Sequence, residues 1–158
     1  MERLSENEII KPAKKIRVAF FSDILVKDFD GAIKTMYQLI NRIPDDRFEY
    51  LFICGVAPRH KFPYRVVRVP SVIIPFNISY RSALPGLAAR KLRRILNDFN
   101  PDVVHISTPS LLGFFGLSYA KEHQIPVLSI YHTHFISYMR YYFIKVPFLI
   151  KASEFLIT

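Results

Sequence analysis

The sequence predicts an α/β fold: a doubly wound, mostly parallel sheet flanked by helices. Three observations predict it. Short apolar runs alternate with stretches of helical periodicity, the pattern of strand–helix–strand units. The first run, Ile16-Arg-Val-Ala-Phe-Phe-Ser22, is nearly continuous in apolar residues, as a strand buried on both faces requires. The last run, from Pro126, stops abruptly on His132-Thr133-His134, and ligands of open α/β sheets sit beyond the carboxyl ends of the strands.

The elements follow in order. Residues 1–15 read as a flexible basic leader without the apolar stretch of a secretory signal. After the first strand, 23–30 is a loop. From Gly31 the spacing of Ile33, Met36, Tyr37, Leu39, Ile40 and Ile43 predicts a helix, ended by Pro44-Asp45-Asp46. Strands are expected at 48–54 and 65–69. The stretch 70–85 holds three prolines and little periodicity, so it reads as a loop or lid-like excursion. A helix is predicted over 86–99 with Leu84, Ala88, Leu92, Ile95, Leu96 and Phe99 as its buried stripe. A strand at 102–106 leads to a helix that runs to about Glu122, with Thr108 as N-cap and Pro109 in its first turn. The fifth strand is 127–131.

With 158 residues and half of them apolar, the chain can bury a real core. Its 22 Lys and Arg against 13 Asp and Glu leave a net charge of +9, which favours an anionic partner. The single cysteine, Cys54, cannot form an internal disulfide, which fits a reducing compartment. No uncharged apolar run is long enough to span a bilayer. We therefore expect a cytoplasmic location, peripheral on the inner face of the cell membrane.

Several chemistries lose their support. No G-x-G-x-x-G follows the first strand, no Walker Gly-Lys-Ser/Thr occurs, and no Gly-x-Ser-x-Gly elbow is present. His132 and His134 have no Cys, Asp or Glu nearby to complete a zinc site, so neither a metal nor another cofactor is expected. His105, inside Val103-Val-His-Ile106, reads as a core histidine. Asp30-Gly31 stands at a loop-to-helix junction. Spacing alone favours a simple turn glycine there, although such a junction also offers backbone N–H groups to an anion. Arg90, Lys91, Arg93 and Arg94 put four cations in five residues on one helix, which tilts this face toward an anionic or membrane surface. No recognised module frames them for nucleic acid, and none is expected as partner.

The motifs fall in a familiar order: Phe20-Phe-Ser-Asp23, Asp30-Gly31 with Thr35 and Leu39, Pro101-Asp-Val-Val-His-Ile106 with Thr108-Pro109 and Gly113, then Pro126-Val and Tyr131-His-Thr133 with Tyr138, Arg140, Tyr141 and Tyr142. Over residues 16–142 the chain resembles the N-terminal, Rossmann-like half of the GT-B glycosyltransferases of family 4, especially bacterial members that glycosylate lipids.

The resemblance implies an acceptor-binding half of a retaining hexosyltransferase, fed by a nucleotide sugar held mainly by a second domain. It implies that His132 approaches the transferred sugar, and that Asp30, Gly31, Thr108 and Thr133 face the donor diphosphate or the acceptor. It also implies that Arg90, Lys91, Arg93 and Arg94 rest on the membrane. Residues 143–158 fit the family pattern poorly, and the donor-side Glu pair is absent, so the chain is expected to be inactive alone. The rival expectation is a non-catalytic lipid- or glycan-binding module of the same fold. A third is an unrelated Rossmann-like nucleotide binder.

Overall fold

The computed structural model describes residues 14–74 and 77–130. Strands β1 (Ile16–Ile24), β2 (Phe48–Val56), β3 (Arg65–Arg68), β6 (Val103–Ile106) and β7 (Val127–Ser129) form one sheet in the order β3-β2-β1-β6-β7. Every pairing in it is parallel. The α/β doubly wound expectation therefore holds, with each of the five strands where it was expected to within two residues. The expected end of the last one, Tyr131, lies outside the described residues.

The two faces of β1 explain why the sheet is wound on both sides. Successive side chains of a strand point to opposite faces. Ala19 and Phe21 join Leu92, Leu96 and Phe99 of helix α2 (Ala89–Phe99) and Leu112, Tyr119 and Ala120 of helix α3 (Leu111–Glu122) in one core. Phe20, with Phe52 and Cys54 of β2, meets Ile33, Met36 and Ile40 of helix α1 (Gly31–Ile40) in a second core. His105 is 2% exposed and its ring lies 4.3 Å from that of Phe20, so the core-histidine reading stands.

Two local expectations are corrected. The proline-bearing stretch is not a plain loop. It contains an antiparallel pair, β4 (Ser71–Ile74) and β5 (Asn77–Ala83), with a register irregularity between Ile73 and Ile74. A single 3-10 turn, Pro85–Ala88, then precedes α2, with Pro85 in its first positions. The cap of α3 is Ser110, not Thr108. The Ser110 hydroxyl accepts from Gly113 N–H at 3.2 Å, so the helix begins two residues later than the Thr108-Pro109 pair suggested.

Candidate functional site at the switch point

The chain leaves the central strand β1 toward α1 on one face, and leaves β6 toward α3 on the other. The crevice between their carboxyl ends is the topological switch point, where open α/β sheets bind ligands. The β1–α1 loop and the β6–α3 loop form its two walls.

Asp23 joins them. It sits one residue before the end of β1, and its carboxylate accepts from the Thr108 hydroxyl at 3.3 Å and from Ala83 N–H of β5 at 2.7 Å. Ser107 adds a second tie: both its N–H and its hydroxyl donate to the Phe21 carbonyl at 3.0 Å. On the other wall Asp30 caps α1, accepting from Ile33 N–H at 2.8 Å. Its second oxygen accepts from the Tyr80 hydroxyl, and the Tyr80 ring meets Phe29 edge-on at 5.0 Å. The β4–β5 hairpin is thus fastened to the end of β1 through Asp23 and to the β1–α1 loop through Asp30. The carboxylates of Asp23 and Asp30 are committed to holding the crevice in shape.

Gly31 is the first residue of α1 and is exposed. The first four N–H groups of a helix have no partner within it. Here Ile33 N–H goes to the Asp30 side chain and Lys34 N–H to the Asp30 carbonyl, leaving those of Gly31 and Ala32 outside the helix's own bonding. No glycine in the described residues has a left-handed φ. A Cβ placed on Gly31 would meet no atom within 4 Å. Neither a turn nor packing therefore calls for glycine here.

Gly113 differs. A Cβ there would collide with the Thr108 carbonyl oxygen and come within 2.9 Å of Ile106 Cγ2. Its glycine lets α3 seat directly on the β6–α3 loop. The structure therefore brings Asp23, Asp30, Gly31 and Thr108 to one edge of the sheet. His132 and Thr133 follow β7 in sequence and lie outside the described residues. Asp23 was visible only as part of a motif. The signal that could have singled it out is an acid at the very end of a buried apolar strand.

The basic helix separates into two parts. Arg93 forms an ion pair with Glu122 of α3, and its guanidinium lies 5.8 Å from the centre of the Phe115 ring. That hydrogen bond holds the Glu122 carboxyl below its ordinary range. Arg90, Lys91 and Arg94 are exposed. Arg90 and Lys91 stand in the first turn of α2, which has no acid there and no side-chain cap. Cations at a helix start oppose its dipole, at a cost of roughly 0.3–1 kcal/mol each. An external anion would relieve that opposition.

A family model described as Glycosyltransferase Family 4 matches residues 29–155. The chain belongs to this family. Among family 4 relatives, it is 30% identical over 126 residues to a GDP-mannose-dependent alpha-mannosyltransferase of Mycolicibacterium smegmatis, covering 75% of this chain and 32% of that one. It is 32% identical over 141 residues to an alpha-monoglucosyldiacylglycerol synthase of Streptococcus pneumoniae, covering 87% of this chain and 31% of the relative. An alpha-monoglucosyldiacylglycerol synthase of Acholeplasma laidlawii is 27% identical over 132 residues, 80% of this chain and 32% of its own length. The chain thus spans about a third of the curated family 4 proteins it matches. A solved UDP-N-acetylglucosamine 2-epimerase aligns with 74% of this chain and 33% of its own at 17% identity and a TM-score of 0.46, a likeness too loose to argue from.

Proposed function

We propose that this family 4 chain is the acceptor-binding side of a retaining glycosyltransferase that moves a hexose from a nucleotide sugar to a lipid or glycan acceptor. The observation that carries the reading is the Gly31 junction at the switch point. Glycosyl transfer builds negative charge on the departing diphosphate. Helix-start N–H groups at Gly31 and Ala32 are preorganised donors for such charge. His132, placed after the last strand in sequence, is proposed to orient a hydroxyl of the transferred sugar or share its proton. Thr108 and Thr133 are proposed to line the same crevice, with Asp30 holding its wall. A donor-binding domain is needed for turnover, and the 158 residues alone are expected to be inactive.

The acceptor is proposed to be presented at an anionic membrane face. Arg90, Lys91 and Arg94 support this, together with exposed apolar side chains nearby in sequence: Leu87 just before α2 and Ile78 of the hairpin, 75% and 79% exposed. No helix among the described residues is long and apolar enough to cross a membrane. Each such cation contributes on the order of 1 kcal/mol near an anionic bilayer.

Two measurements test the reading. The chain should sediment with vesicles containing anionic lipid and not with purely zwitterionic ones. The triple change of Arg90, Lys91 and Arg94 to Gln should release it with its fold intact. Completed by a donor-binding domain, His132→Ala and Gly31→Ala should each lower sugar transfer far more than they lower folding stability. Equal loss of transfer and stability would support a purely structural role for both residues. No transfer at all from any nucleotide sugar, with vesicle binding retained, would favour the non-catalytic lipid-binding module.

A further inference from the structure

A second concave site lies on the far side of the β1–α1 loop. It is a cavity of about 260 Å³ between that loop, the end of α1 and the β2–β3 connection. Lys27, Asn41, His60 and Lys61 supply its polar groups, and Tyr37 and Phe62 its aromatic wall. The two rings meet edge-on with centres 6.2 Å apart. The Tyr37 hydroxyl donates to the Leu25 carbonyl at 3.2 Å, which ties α1 to the end of the β1 segment and fixes the ring. Phe62 is locked from behind by Phe52 and Tyr64, at 5.0 and 5.7 Å. Pro58 and Pro63 bracket the connection and stiffen it.

The charge in this cavity is one-sided. No Asp or Glu lines it. The ion pairs among the described residues are Arg17–Asp102 and Arg93–Glu122, and neither engages Lys27 or Lys61. The nearest acid in sequence, Asp28, is the exposed left-handed residue next to Lys27; it is not part of the lining, although, after burial, its charge is among the influences that push up the Tyr37 hydroxyl in the wall. Asp45, the acid close to the aromatic wall, accepts from the Tyr64 hydroxyl at 3.1 Å. The end of α1 offers about half a negative charge, too little to balance two lysines. The volume lies just below the range of about 300–1,000 Å³ typical of ligand pockets, which suits a compact ligand.

We propose that this cavity binds a small organic phosphate, with Lys27 and Lys61 taking the phosphate and the Tyr37–Phe62 wall taking its carbon skeleton. Asn41 supplies a hydrogen bond to a hydroxyl of that skeleton. The site is separate from the switch-point crevice and does not depend on the glycosyltransferase reading. The phosphate ester is either a free metabolite or the headgroup of an anionic glycerolipid.

The test is a titration of the 158-residue chain followed by amide NMR, with glycerol 3-phosphate, inorganic phosphate and glycerol as soluble probes and phosphatidylglycerol bicelles as the lipid probe. Glycerol 3-phosphate should give saturable shifts confined to Lys27, Asn41, His60, Lys61 and Phe62 at millimolar concentration, and should bind more tightly than inorganic phosphate or glycerol. Shifts at the same amides with bicelles identify a lipid headgroup; shifts with the free ester alone identify a soluble metabolite. Both support the site. Changing Lys27 and Lys61 together to Gln, at two exposed positions, should weaken binding at least about tenfold without changing the circular dichroism spectrum. The triple Gln change on α2 should leave it unaltered. Shifts scattered over every basic face, no saturation at millimolar probe, or equal affinity in the Lys27/Lys61 variant would each overturn the proposal.

Discussion

Replacing Asp23 by Ala should detach the β4–β5 hairpin from the switch point. Ala83 is fully buried, so its N–H, now bonded to Asp23 at 2.7 Å, would have no water to turn to. A hydrogen bond to a charged group contributes about 1.5–3 kcal/mol, and the longer Thr108 contact about 0.5–1 kcal/mol more. The expected loss is therefore about 2–4 kcal/mol. For a chain of this size each kcal/mol moves the melting temperature by about 2–4 °C, so the fall should be roughly 5–15 °C. Asp23→Asn keeps an oxygen for Ala83 N–H, and its amide can donate to the Thr108 hydroxyl. It should cost less than about 1 kcal/mol. Thermal unfolding by far-UV circular dichroism measures both losses. Amide exchange at Ala83 reports the bond itself and should accelerate in the Ala variant alone. If the Ala and Asn variants melt together, or the Ala variant melts with the parent, the carboxylate does not hold the hairpin and the crevice geometry argued above is wrong.

Gly113→Ala should destabilise by about 1–3 kcal/mol, overriding a helix-propensity gain of up to about 1 kcal/mol, because the Thr108 carbonyl it strikes is backbone; a raised urea midpoint would show that α3 does not seat so closely. Cys54 is buried, and desolvation pushes its thiol up to about 12, so a disulfide exchange reagent should react only once the chain is unfolded. The same shift makes stability fall as pH rises from the ordinary thiol range toward 12, since only the unfolded thiol ionises there; unfolding midpoints of the parent that stay flat across that window would contradict it. Glu122 has the opposite sign. Its Arg93 hydrogen bond lowers its folded value, so its contribution is present at neutral pH and disappears as pH falls through that value. A carboxyl NMR titration should show the Glu122 midpoint rising in Arg93→Gln.

The parallel sheet was readable because β1 and β2 are buried on both faces and so are written as near-continuous apolar runs. The α2 stripe was readable because Leu92, Leu96 and Phe99 repeat at helical spacing. The hairpin was not. Its strands are short, their ladder is irregular at Ile73, and Pro70, Pro75 and Pro85 speak locally for a loop. Contacts with β1, β2 and α3, and with the β1–α1 loop through Tyr80, make the hairpin a fixed element. The same holds for the site. Gly31 and Asp30 stood out as a junction, but the role of Asp23 depends on Ala83 and Thr108, which are distant in sequence. Arg93 looked like one more surface cation, because its partner Glu122 lies on another helix. Partners that distant leave no local pattern to read.

The central place of β1 also bears on the order in which the molecule is built. β1 pairs with β2 across a single helix, from Ile16 to Phe48, whereas its pairing with β6 closes a loop of about 85 residues. Each doubling of a loop costs about 0.6 kcal/mol of closure entropy, so β1–α1–β2 is the cheaper pairing to close and β6 is expected to dock onto it afterwards. The crevice spans that late seam. A newly made chain would therefore own its Gly31 junction well before Thr108 arrives to face it. A variant that slows docking of β6 would yield molecules that are largely folded yet have no site.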